Sequence, residues 1–111
     1  MVARDSAPDA GDIIWLNFDP QAGHEQAGHR PALVLSPVRY NRLTGMAIIV
    51  PMTTRVRGNR FEVAIGRGRD GVALSDQVKS LDWRARKATR KGKASAEELE
   101  AVRARVRVLV G

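Results

Sequence analysis

The sequence predicts an α+β protein, a small barrel-like sheet of short antiparallel strands followed by a C-terminal amphipathic helix. Apolar runs of strand length recur between residues 12 and 74, turn-forming Gly, Pro, Asn and Asp separate them, and only the tail carries helical periodicity. A chain of 111 residues has room for one core and not for a catalytic domain beside a separate binding domain. The expected organisation is a flexible leader over 1–10 and a single domain over 11–111.

The first strand is read at Asp12 to Phe18 (DIIWLNF), rich in β-branched and aromatic residues and bounded by Gly11 and by Asp19-Pro20. Ala32 to Ser36 and Ala47 to Met52 are the next apolar runs; Pro51, within the second, suggests an edge or a bulge. Phe61 to Ile65 alternates apolar and polar, Gly66 to Gly71 supplies a turn, and Val72 to Leu74 begins another extended stretch. Ser95 with Glu98 three residues on is a capping-box pattern. Leu99, Val102, Val106 and Leu109 then form one stripe of a helix, which gains most of its stability by burying that stripe on the sheet. Of the aromatic residues, Trp15 and Phe61 are expected in the core.

Composition narrows the partners. Nineteen Lys and Arg against 12 Asp and Glu give a net charge of +7, which favours a polyanion: nucleic acid, anionic lipid or an acidic protein segment. Without cysteine there are no disulfides and no thiolate metal ligands. The opening MVARDSAPDA lacks the apolar run of a secretory signal, and nothing approaches the roughly 20 apolar residues of a membrane span. A soluble, cytoplasmic protein is expected.

Chemistry concentrates in Asp19 to Pro31, DPQAGHEQAGHRP, which holds both histidines, Glu25 and Arg30 between glycines and prolines. Gly23 and Gly28 permit close approach of a phosphate, although a plain connector would look the same. A zinc site is disfavoured, because His24 and His29 are five apart across Gly28 rather than four apart on a helix; no metal and no cofactor are expected. Arg30 can hold a phosphate at two points, or simply anchor the loop by a salt bridge. RNA cleavage by its own 2′-hydroxyl needs a base, an acid for the leaving 5′-oxygen and positive charge on the non-bridging oxygens. Glu25, His29, Arg30 and a strand-end hydroxyl from Thr53 or Thr54 supply those groups. Arg55, Arg57 and Arg60 surround Gly58, and Arg84 to Lys93 is a basic run without an acid; both suit phosphate, and both also suit a solvated face. Asp76 to Ser80 (DQVKS) reads either as base-edge contacts or as a polar edge strand.

GDIIWLNFDP, EQAGHRPALVLSP, TGMAIIVPMTT, DGVALSDQVKSLDWRAR and EELEAVRARVRVLVG, in this order, resemble the MazF-type (MazF/PemK) toxins over Gly11 to Gly111. The resemblance implies an SH3-like barrel with a C-terminal helix, in the manner of the CcdB and MazF folds. It implies a homodimeric mRNA interferase of a type II toxin-antitoxin system. Such an enzyme cuts single-stranded RNA in a sequence-specific, metal-independent way to a 2′,3′-cyclic phosphate and a 5′-hydroxyl, inhibiting translation. Carried over by motif, Arg30 and Thr53 take the family's catalytic positions, Glu25 matches an acidic site residue, and His29 is a proton-transfer helper. Gln77 and Lys79 fall where the family lines its RNA groove; Arg55, Arg57, Arg84 and Arg86 are the further RNA contacts the basic segments suggest. A MazE-like antitoxin with an acidic C-terminal segment is the implied protein partner. His24 departs from the family, which carries a small Ser there.

Two other functions fit the sequence. A poison of DNA gyrase shares the barrel in the CcdB family, and a non-catalytic nucleic-acid-binding barrel shares the charge. The binding barrel gives no reason for Glu25, Arg30 and Thr53 to occur together, and purified protein with RNA alone separates the gyrase poison from the nuclease.

Overall fold

The computed structural model describes residues 7–18 and 28–111. Seven strands and two helices follow in the order β1 (Asp12–Phe18), β2 (Gly28–Val34), α1 (Val38–Thr44), β3 (Met46–Thr53), β4 (Glu62–Ala64), β5 (Val72–Leu74), β6 (Lys79–Asp82), β7 (Thr89–Lys93) and α2 (Ala96–Val110). Single 3₁₀ turns occupy Gly66–Gly68 and Ser75–Gln77.

Strand pairing is antiparallel, in the order β4-β5-β3-β2-β1-β7, with β6 also paired to β3. This is the expected antiparallel sheet followed by a C-terminal helix, and the sheet is not closed by hydrogen bonds among the described residues. Helix α2 packs against β4 and the Ser75–Gln77 turn.

Side chains alternate across a strand, so a sheet covered on both faces has apolar residues at consecutive positions. That is why β1, β2 and β3 read as unbroken apolar runs. Ile13, Leu33, Val50 and Met52 join Val102 of α2 in one core, while Ile14, Leu16, Val34 and Ile49 join Trp83 in another on the opposite face. Among the aromatic side chains whose burial is described, Trp83 is the buried one, 4% exposed; Trp15 and Phe61, expected in the core, are only half-buried. Trp15 is the middle residue of β1, and Phe61 just precedes the three-residue β4.

Strand β2 begins at Gly28 rather than at Ala32, because pairing with β1 needs only backbone groups and runs on through Leu16↔Arg30 to Phe18↔Gly28. His29 and Arg30 therefore stand on a strand and not in a loop. Strand β3 is central, contrary to what Pro51 suggested: β2 lies on one side, and β6 then β5 on the other. Pro51 falls between the segment paired with β6 and the segment paired with β5, an interruption of the ladder where a residue lacking N–H is tolerated.

Helix α1 and strands β6 and β7 have little apolar signal. α1 buries a single side chain, Asn41, whose Oδ1 accepts from Ser36 Oγ at 2.6 Å and whose Nδ2 donates to the carbonyls of Pro8 and Ser36 at 2.8 and 2.9 Å. Ala7 to Ala10, placed in the leader by the sequence, are part of the fold: Pro8 is buried, and Asp9 accepts from the N–H of Val38 at 2.9 Å.

Ser95 and Glu98 form the expected capping box, with Ser95 Oγ accepting from Glu98 N at 3.0 Å and Glu98 Oε1 from Ser95 N at 2.9 Å. Glu98 Oε2 also accepts from Gly66 N at 2.8 Å, tying the helix start to the turn after β4. Leu99, Val102 and Val106 pack on the core, whereas Leu109 is 48% exposed because the last turn of α2 runs past the sheet. No helix among the described residues is long and apolar enough to cross a membrane.

Candidate functional site

The ladder between β2 and β3 ends with Ala32 opposite Pro51. Continued by two residues, the same register sets Arg30 opposite Thr53. Both side chains border a polar cleft of about 780 Å³, together with Arg55, Arg57, Glu62 and Gln77. The cleft thus draws on β2, the end of β3, the segment after it, the first residue of β4 and the Ser75–Gln77 turn.

Each residue has a structural reason for its place. Thr53 is the last residue of β3, and its Oγ1 accepts from Arg55 N at 3.1 Å, which leaves the hydroxyl proton available to an acceptor in the cleft. Behind it, Gly71 (φ +82°) is paired into the start of β5 so closely that a Cβ there would fall on the Thr53 carbonyl oxygen. Glu62, which sequence reasoning missed, is the organiser of the 55–60 loop: its carboxylate accepts from Arg57 N at 3.0 Å and from Gly58 N at 2.8 Å. Gly58 takes φ +84°, a left-handed turn that brings these two N–H groups onto one acceptor. Glu62 is thus engaged by backbone N–H groups within the cleft that Arg55 and Arg57 line. The one signal in the sequence was a lone acid after a run of three arginines.

A second cleft, of about 360 Å³, shares Arg30, Thr53 and Thr54 with the first and is bordered on its far side by Trp15, His29, Arg69, Asp70 and Lys91. Lys91 reaches it through a β-bulge. Ile13 pairs with Gly92 and Ile14 with Arg90, so Lys91 is the extra residue, and its Nζ sits 5.5 Å from the centre of the Trp15 ring and 3.1 Å from Asp70 Oδ1.

The remaining expected contacts are divided. Gln77 borders the first cleft, with Asp76; Lys79 is exposed on β6, opposite Ile49, and does not border it. Arg84 lies over Trp83, 4.7 Å from the ring centre, and Arg86 donates to the Asn17 carbonyl at 3.5 Å; neither borders either cleft. The basic run 84–93 is thus not one surface, since Arg90 and Lys93 pair with the buried Asp12 while Lys91 turns to the second cleft. Glu25, His24 and Gly23 lie outside the described residues. No group of three or more His, Cys, Asp or Glu among the described residues is arranged to hold a metal ion.

A cleft with guanidinium groups, a strand-end hydroxyl and an amide suits a phosphodiester flanked by polar bases. Comparison with known proteins agrees. The family model described as PemK-like, MazF-like toxin of type II toxin-antitoxin system matches residues 9–110. The chain is 58% identical over its full length, and over the full length of the relative, to the endoribonuclease toxin MazF of Escherichia coli K12. Among solved structures it is similar to MazF in a MazE–MazF crystal structure from Deinococcus radiodurans, with a TM-score of 0.87 and 48% identity, covering 95% of this chain and 97% of that one. A crystal structure of MazF from the same organism gives a TM-score of 0.83 at 50% identity, with the same coverage.

Proposed function

The chain belongs to the PemK-like, MazF-like toxins of type II toxin-antitoxin systems and is an endoribonuclease toxin; from that premise we propose that it cuts single-stranded RNA at the Arg30–Thr53 ridge by in-line attack of the 2′-hydroxyl. The 2′-oxygen loses its proton and bonds to phosphorus, the bond from phosphorus to the 5′-oxygen breaks, and that oxygen takes a proton. The products are a 2′,3′-cyclic phosphate and a 5′-hydroxyl. The observation that carries the reading is that Arg30 and Thr53, from the neighbouring strands β2 and β3, both line both clefts.

Arg30 holds two non-bridging oxygens and stabilises the charge that grows there, and the Thr53 hydroxyl donates to one of them. Glu25 is the assigned base and His29, at the edge of the second cleft, the proton-transfer helper. The reading places no metal in the reaction. Arg55 and Arg57 neutralise flanking phosphates, and Gln77 addresses a base edge. The protein acts in the cytoplasm as a homodimer. Its antagonist is a MazE-like antitoxin with an acidic segment that competes for the cationic cleft, a role supported by the net charge of +7 and by the MazE–MazF complex of the D. radiodurans relative.

The test is a matched pair of oligonucleotides, all-ribose or with a single 2′-deoxy at the scissile nucleotide, each incubated with purified protein in EDTA. Cleavage of the first alone supports the mechanism. Cutting of the deoxy substrate eliminates 2′-attack.

A further inference from the structure

The mechanism above uses Arg30, Thr53 and His29 of the second cleft and gives no role to its Trp15, Arg69, Asp70 and Lys91. A strand of RNA whose scissile phosphate sits on Arg30 and Thr53 continues in two directions, and the two clefts lie on either side of those residues. We propose that the second cleft is a nucleotide subsite, taking the base next to the scissile phosphate against Trp15 and the following phosphate on Lys91 and Arg69. The proposal rests on the endoribonuclease reading.

Three observations carry it. Trp15 is half-buried, so its indole is fixed by the strand while part of its surface stays open, as base stacking requires. Lys91 is brought there by a bulge: an unbroken β1–β7 ladder would give it a partner on β1, and the extra residue re-aims it over Trp15. Arg30, Arg69 and Lys91 outnumber Asp70 in this cleft, so its charge favours an anion.

Asp70 gives the site its resting state. Its carboxylate holds Lys91 Nζ at 3.1 Å and keeps the ammonium over the ring. An incoming phosphate exchanges with Asp70 for Lys91 and draws the ammonium aside, which opens the indole to the base. Both partners of the ion pair are partly exposed, with side chains 27% and 34% accessible, so the exchange costs little.

The experiment walks one abasic ribose through a cleavable RNA, position by position on both sides of the scissile bond, with wild type, Trp15→Leu and Lys91→Ala. Wild type should lose about 10-fold or more in kcat/KM when the base at one adjacent position is missing. Trp15→Leu should show that loss already on intact RNA and none further at that position. Lys91→Ala, an exposed strand position, should weaken binding of an uncleavable 2′-deoxy oligonucleotide and lower the slope of log K against log salt by about 0.7. Should Trp15→Leu fail to fold, emission decides: the same oligonucleotide should quench wild type and leave Trp15→Phe, which keeps the buried Trp83, unquenched. Active wild type with an intact-RNA rate unchanged in Trp15→Leu, or with equal quenching in Trp15→Phe, overturns the subsite. Wild type that cuts no RNA overturns the endoribonuclease reading beneath it.

Discussion

The indole Nε1 of Trp83 donates at 2.8 Å to the backbone carbonyl of Asn41, a fully buried residue 42 positions earlier. Through this bond and the Asn41 side chain, α1, the segment before β1, the segment between β2 and α1 and the turn after β6 are fastened to one point. Asn41→Ala removes an amide that satisfies two buried carbonyls and a buried hydroxyl. It should cost about 3 kcal/mol, read from urea unfolding, whereas Trp83→Phe should retain α1.

At the ridge between the clefts, Arg30→Ala and Thr53→Ala should keep the wild-type circular dichroism and lose cleavage about 100-fold or more, since both act on phosphate and neither fills a core. Thr53→Ser should keep most of the activity. Loss of the fold in either alanine variant would make that residue structural.

Glu62 acts at one remove, through the backbone of Arg57 and Gly58. Glu62→Ala should raise KM about 10-fold with kcat within about 3-fold, because the arginines remain but are no longer held. Glu62→Gln, which keeps an acceptor oxygen, should recover part of the loss; a fall in kcat alone would count against this role.

Gly71 tests the support of Thr53. Gly71→Ala meets both a left-handed backbone and the Thr53 carbonyl, and should destabilise by about 2 kcal/mol or more, with a further drop in cleavage by the fraction that still folds. Thermal melts and single-turnover rates separate the two effects.

Below neutral pH, Asp9 is the group to watch. Its bond from Val38 N–H holds the carboxyl below its ordinary 3.8 against the opposing effect of burial, with lesser help from Ala10 N–H and from the charges of Lys93 and Arg103. A carboxyl lowered in the folded state adds stability that is complete above 3.8 and disappears as pH falls through the folded value. Asp9→Asn should therefore flatten the melting temperature against pH below 3.8. A profile that stays parallel to wild type there would remove Asp9 from the acid transition.

What was legible in the sequence follows from how each element is stabilised. Strand β1 was read to its last residue because Ile13, Ile14 and Leu16 are buried on alternate faces, and α2 because Ser95, Glu98 and Val102 each have a local or core partner. Helix α1 hides its reason in one amide, and β7 forms through backbone pairing with β1 while its side chains look like a charge run. At the site, Arg30 and Thr53 were readable as residue types in motifs. Their juxtaposition depends on the register between β2 and β3, and the role of Glu62 on a turn that only Gly58 permits.

β7 also bears on the behaviour of the protein in concentrated solution. It ends the strand order, so among the described residues one side of its backbone has no partner, and such an edge is a template onto which another chain can add as a strand and begin an aggregate. The sequence TRKGK puts three like charges there, together with a bulge that breaks the flat run of donors and acceptors; at the opposite end, β4 is only three residues long. These two ends of the strand order are therefore poor seeds for fibril growth.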